Sequence, residues 1–370
     1  MRNLFICTKP YQYLMCRLIV EGYGYTNSEL IVLNHFEGAS SFVNKLQNLK
    51  VWSRVYFIDD AGTNELSSKL NPFQKIFFYQ DWQKLLPSSI KNWDSYESLY
   101  IAHEGVATEY GIMKKFYEFK KPVIMYEEGF GNYINVNQHQ NIFKRMLKEV
   151  SHLFGIPGSY LGRLKYVDKV LVQRPDIIIN EKHNPIRKKV VRLPISLSEF
   201  LLLPNIRKEM NNIFPQLDEL LLQIEGINKI SLFLGESYNA KLKNYQGYMD
   251  KIIELVEDSS KDVDAIFIKQ HPGDDKMLEF GNRDKKIILI PKILPIELLY
   301  ALFNEKLKLL KVFTLGSTAA INLHNLFLNQ CDIEVNISSD KTLPVSQSGN
   351  VQKFKEMALK FGVKHSVIPI

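Results

Sequence analysis

Leu99-Tyr100-Ile101-Ala102, then the amphipathic stretch Tyr110–Phe119, then Val123-Ile124-Met125-Tyr126: this passage decides the fold. Each flanking run is apolar without alternation, the pattern of a strand buried on both faces of a parallel sheet. The segment between has helical spacing, so the unit reads as strand, crossover helix, parallel strand. Toward the N-terminus the alternation recurs, with strand candidates Leu4–Cys7, Leu30–Leu33 and Val55–Ile58 and helical segments Tyr11–Val20 and Phe42–Leu49. Toward the C-terminus it recurs with Ile230–Leu234, Ala265–Lys269, Ile287–Ile290, Val312–Leu315 and the weaker Ile333–Val335. Helical stretches Tyr248–Val256, Pro295–Phe303 and Ala319–Leu328 lie in that half. The expected class is α/β, with two Rossmann-like, doubly wound domains facing a cleft.

The length supports two domains, because 370 residues exceed the roughly 250–300 at which one core stops growing. Pro175, Pro185, Pro194 and Pro204 mark residues 175–205 as a connection. The first domain is therefore expected at 1–185 and the second at 186–349. A closing helix near Val351–Phe361, within 350–370, is expected to pack back on the first domain.

Hydrophobic residues make up 45% of the chain, which excludes a largely disordered protein. Lys and Arg outnumber Asp and Glu by 47 to 40, a net +7 that admits an anionic partner or membrane surface. The basic residues are dispersed without interleaved aromatics, so nucleic acid is not expected. Cys7, Cys16 and Cys331 form no metal-ligand spacing and suit a reducing compartment. The apolar run at Leu4–Cys7 is too short for a secretion signal, and no stretch approaches the ~18 apolar residues of a spanning helix. The expected location is cytoplasmic, at most peripheral on the inner face of the membrane. A basic stretch, Lys144-Arg145-Met146-Leu147-Lys148 continuing through Arg163 and Lys165, reads as a lipid or glycan contact or as a solvated face. A homodimer is left open.

Chemistry in such sheets belongs just after the strands. Glu127-Glu128-Gly129-Phe130-Gly131 follows Val123–Tyr126; adjacent residues alternate in direction, so one carboxylate faces the cleft. It reads as a general base, strengthened if burial raises its pKa, or as a solvated turn. Lys269-Gln270-His271-Pro272-Gly273 follows a buried strand, and His271 is suited to proton donation near neutrality. Of the other histidines, His103 near a strand end and His324 on a helix are the least easily dismissed. Gly316-Ser317-Thr318 opens a helix after Val312–Leu315; it reads as an anion site or as plain capping by Ser317. Asp262-Val263-Asp264 precedes its strand, and no glycine-rich or His-Glu-x-x-His signature occurs, so a reaction without a metal is expected.

Together these motifs resemble the bacterial sialyltransferases that use CMP-sialic acid, of the capsular polysialyltransferase and lipooligosaccharide types. Glu-Glu-Gly-x-Gly-x-Tyr at 127–133 and Ile-Phe-Ile-Lys-x-His-Pro at 266–272 are similar to the capsular enzymes, as is the Thr8-x-x-x-Gln12 element. The resemblance implies a GT-B glycosyltransferase that inverts configuration and needs no cofactor beyond its donor. Its acceptor would be a hydroxyl of a capsule or lipooligosaccharide glycan. It implies Glu128 as general base and His271 as general acid toward the CMP phosphate. Ser317 and Thr318 would bind that phosphate, Glu297 the ribose, and Gly235 would lie close to the nucleotide. Lys269 and Pro272 complete the implied nucleotide side. Gln270 and Gly273 depart from the family's usual residues. Two alternatives stay open: another GT-B transferase such as a CDP-glycerol-dependent polymer transferase, or a non-catalytic nucleotide- or carbohydrate-binding protein.

Overall fold

The computed structural model describes residues 2–134, 146, 149–150, 152, 155–156, 161–235, 245–258, 260–271, 286–303, 306–314, 316–339 and 345–369. The chain divides into two compact units, Met1–Phe200 and Leu201–Ile370.

The first unit holds β1 (Asn3–Cys7), β2 (Ser28–Leu33), β3 (Arg54–Ile58), β4 (Ser98–Ile101), β5 (Val123–Tyr126), β6 (Lys169–Val172) and β7 (Val190–Arg192). All pair in parallel in the order β3-β2-β1-β4-β5-β6-β7. The central strands β1, β2, β4 and β5 are buried at every position, which is why their sequences run apolar without alternation. Phe5 of β1 stacks on Tyr100 of β4, with ring centroids 4.3 Å apart. Under the sheet, the buried Tyr126 hydroxyl donates to the Ile6 carbonyl at 2.5 Å, tying β5 to β1 across β4.

The first unit runs past the expected boundary at 185, and the prolines explain why. Pro175 and Pro204 are not linker residues but first positions of the helices Pro175–Ile179 and Pro204–Ile213, where a missing N–H costs nothing. Pro194 packs so closely on the helix Pro10–Tyr23 that a Cβ on Gly22 would stand 2.6 Å from it. β7, short and largely exposed, completes the sheet between these prolines.

The second unit holds β8 (Lys229–Leu234), β9 (Ala265–Lys269), β10 (Lys286–Ile290), β11 (Leu309–Thr314), β12 (Asp332–Ser339) and β13 (His365–Pro369), parallel in the order β10-β9-β8-β11-β12-β13. The closing helix Val345–Lys360 and β13 belong to this second unit, with β13 paired to β12. That helix and β13 thus add a crossover to the second sheet. Among the described residues no helix is long and apolar enough to cross a membrane.

Candidate active site

In the first sheet β1 and β4 are neighbours, and the strand order runs outward from them in both directions. The carboxyl ends at such a switch point open a crevice. Three ionisable side chains stand there, each two residues past its strand: Lys9 after β1, His103 after β4 and Glu128 after β5.

Glu127 and Glu128 diverge as strand alternation requires. Glu127 is 3% exposed. It accepts from the Tyr133 hydroxyl, from Gln173 N at 2.7 Å and from Gln173 Nε2 at 2.9 Å. Burial raises its pKa despite these donors. It is a structural carboxylate that fastens the turn after β5 to the turn after β6. The second glycine of the motif is required by packing, since a Cβ on Gly131 would meet Leu161 at 2.3 Å.

Glu128 is 18% exposed and pairs with the Lys9 ammonium. Burial pushes its pKa up, but Lys9 and the neighbouring His103 outweigh that and leave it below the usual carboxylate range. The expected route to a stronger base, a pKa raised by burial, is therefore reversed by an ammonium that sequence spacing did not reveal. Thr8 donates through N at 2.5 Å and through Oγ1 at 3.0 Å to Gln12 Oε1. The Gln12 amide nitrogen is buried and makes no hydrogen bond of good geometry.

His103 is held on two sides. The Gly105 N–H donates to its Nδ1 at 2.8 Å, and Gly105 is itself fixed by the Tyr79 hydroxyl, 3.1 Å from its carbonyl. The backbone N–H groups of Ala102 and His103 both donate to Glu109 Oε2 at 3.0 Å. Glu109 lies fully inside, where burial lifts its pKa far above the usual range. Burial also lowers the pKa of His103, against the opposing pull of Glu128.

In the second sheet the switch lies between β8 and β11. His271 stands two residues past β9, partly exposed. Gly235, first after β8, donates to the Lys269 carbonyl at 2.8 Å. A Cβ there would lie 3.3 Å from His271 N and 3.3 Å from Lys269 O, so the glycine lets two strand ends close on each other. The approach expected between Gly235 and a nucleotide is, within the protein, an approach to the backbone that carries His271.

Lys269 is only 8% exposed, and its Nζ donates to the carbonyls of Pro291 and Lys292, both at 2.7 Å. Burial pushes its pKa down to about 7, against the attraction of Glu297, and a neutral amine still has hydrogens for both carbonyls. The lysine thus clasps the chain after β10 and points its nitrogen at backbone. Glu297, 3% exposed, accepts from Asn322 Nδ2 at 2.9 Å, and burial raises its pKa. It joins the 3₁₀ turn Ile296–Leu298 to the helix Thr318–Phe327.

Ser317 occupies the N-cap of that helix, but its side chain does not cap. Thr314 does the local work instead: its Oγ1 accepts from Gly316 N at 3.1 Å and Ser317 N at 2.8 Å. The Ser317 and Thr318 hydroxyls have no hydrogen-bond partner among the described residues and remain available to an anion. His324, on the same helix, is 6% exposed with its pKa lowered by burial, a core histidine. Pro272 and most of the basic stretch at 144–165 lie outside the described residues. Sequence reasoning missed Lys9 and Glu109 altogether. The one signal for Lys9 was its place after a buried strand.

Similar structures include a UDP-GlcNAc 2-epimerase from Methanocaldococcus jannaschii, 11% identical over 100% of this chain and 89% of that one, with a TM-score of 0.52. The same organism's enzyme in complex with UDP-GlcNAc and UDP is 12% identical over 91% and 83%, with a TM-score of 0.51. At such identity the likeness is one of fold, two Rossmann-like domains of the GT-B kind. No curated protein sequence matches the chain. A family model described as alpha-2,8-polysialyltransferase matches residues 3–330, which include every strand from β1 to β11 and both strand-end sites. With that match over most of its length, the chain is a glycosyltransferase of the sialyltransferase type and belongs to the alpha-2,8-polysialyltransferase family.

Proposed function

We propose that the enzyme moves sialic acid from CMP-sialic acid to a hydroxyl of a cell-surface glycan, with inversion and without a metal ion. Glu128 takes the proton of the attacking hydroxyl. His271 gives a proton to the departing phosphate, and the Ser317 and Thr318 hydroxyls hold it at a helix start. Glu297 is assigned to the ribose, although one of its oxygens is taken by Asn322. Lys269 is assigned to support of this side, since its nitrogen is directed to two carbonyls.

The observation that carries this reading is the Lys9–Glu128 pair. Departure of CMP builds oxocarbenium character at the sugar before the new bond is complete, so the acceptor proton is acidified late. A carboxylate of low pKa is then an adequate base, and an ammonium that keeps it ionised is an advantage. Neutral hydroxyls and N–H groups on the phosphate side supply stabilisation where charge develops. The net charge of +7 suits an anionic donor and an anionic glycan acceptor. We assign the enzyme to the cytoplasm, peripheral to the inner membrane face.

The test is to incubate the enzyme separately with CMP-sialic acid, CDP-glycerol and UDP-sugars and measure nucleotide release. CMP release from the first is expected. Turnover of CDP-glycerol instead would move the enzyme to polymer synthesis, and no turnover of any donor would make it a binding protein.

A further inference from the structure

His103 has no role in the reading above, yet it is the most tightly arranged polar side chain of the first site. It stands between Lys9 and Glu128 in the order of strands, β1-β4-β5, at the switch point. Its Nδ1 is committed to the Gly105 N–H, so the neutral ring carries its hydrogen on Nε2. That nitrogen has no hydrogen-bond partner in the protein among the described residues. The ring is held at Nδ1 by Gly105, itself fixed by Tyr79, and Glu109 holds the backbone that carries it through the N–H groups of Ala102 and His103. The structure thus holds the Nε2–H in one orientation within the field of the Glu128 carboxylate.

An attacking hydroxyl needs an acceptor for its proton, which Glu128 supplies. A sugar ring must also be oriented so that the correct hydroxyl reaches that carboxylate, and this calls for donors to its other oxygens. Resting on the function proposed above, we infer that His103 positions the acceptor: its Nε2–H donates to an oxygen of the terminal acceptor sugar next to the hydroxyl that Glu128 deprotonates.

The test compares His103→Asn with His103→Gln in the full chain. Asn keeps an oxygen for the Gly105 N–H and lacks the outer donor; Gln places an N–H near the position of Nε2. Initial rates are measured against a sialylated oligosaccharide at saturating CMP-sialic acid, alongside CMP release to water without acceptor. For His103→Asn the acceptor KM should rise about tenfold, the worth of one hydrogen bond, with CMP release to water unchanged. Gln should restore most of the difference. An acceptor KM within twofold of wild type in the Asn variant would overturn the inference. So would an equal fall of transfer and hydrolysis in both variants, which would mark His103 as structural. A wild-type enzyme releasing no CMP would instead sink the donor assignment, and calorimetric binding of the oligosaccharide to the three proteins would still judge His103 by the same tenfold criterion.

Discussion

The two strand-end sites handle charge in opposite ways. At the first, the protein carries its own charge: an exposed ammonium on Lys9 pairs with Glu128, and His103 stands in the same field. At the second, the lysine and the glutamate turn inward, Lys269 to two carbonyls and Glu297 to Asn322, while His271 and the hydroxyls are left partly exposed. The first site keeps a carboxylate ionised through a partner of its own. The second spends its charged side chains on the fold and leaves neutral hydroxyls open. Both rest on the same sheet topology, so the difference lies in the few residues after each strand.

Removing the ionisable group from each site gives the largest effects and the most direct way to break the comparison. Glu128→Gln and His271→Ala are each expected to lower transfer on the order of 10²–10⁴-fold. Calorimetry should show CMP binding intact in Glu128→Gln, and CMP release to water should be lost only in His271→Ala. Equal loss of both activities in both variants would erase the division between sites.

A smaller effect is expected where the second site depends on backbone packing. Gly235→Ala places a methyl 3.3 Å from His271 N, forcing a shift of a few tenths of an ångström. Transfer should fall up to about tenfold, with the donor KM rising rather than the acceptor KM, as steady-state kinetics would show. Unchanged kinetics would mean that the position of His271 tolerates movement.

Lys9→Met sharpens the account of the first site. Lys9 lowers the pKa of Glu128, so its removal lets that pKa rise and leaves more of the base protonated at a given acid pH. The acid limb of the kcat/KM profile should move to higher pH, giving a several-fold loss at acid pH and little at pH 8. A limb that does not move would detach Glu128 from the observed base.

The smallest effect concerns stability. Lys269 has a folded pKa of about 7 against an ordinary 10.5, so between those values the unfolded chain binds a proton that the folded one does not. That term makes the wild type more stable as pH rises from about 7. The wild-type advantage over Lys269→Met in urea midpoint should therefore grow from pH 7 to pH 10. A constant difference would mean that Lys269 keeps its proton when folded.

Much of this was legible in the sequence because the central strands are buried on both faces and must be apolar throughout. The strand candidates near β1, β4, β5, β8 and β9 needed no other signal. β6 escaped because it opens on an exposed lysine, leaving three buried apolar residues, and β7 because it is three residues long, largely exposed and set among prolines that mimic a linker while opening helices. The motif acids and His271 were visible through their strand-end positions. The Lys9–Glu128 pair was not, because residues 119 positions apart meet only when β4 is inserted between β1 and β5. Likewise Glu109 reads as an ordinary first-turn acid until its fully buried oxygen is found on the His103 backbone.

The Thr314 hydroxyl, finally, sets a valence for the helix start that follows it. By accepting from Gly316 and Ser317 it withdraws two N–H groups from any anion, and Ala320 N is turned back to Ser317 O. Among the described residues the Thr318 and Ala319 amides and two hydroxyls remain. What this helix start can still offer is thus fixed by a strand-end hydroxyl three residues before its N-cap.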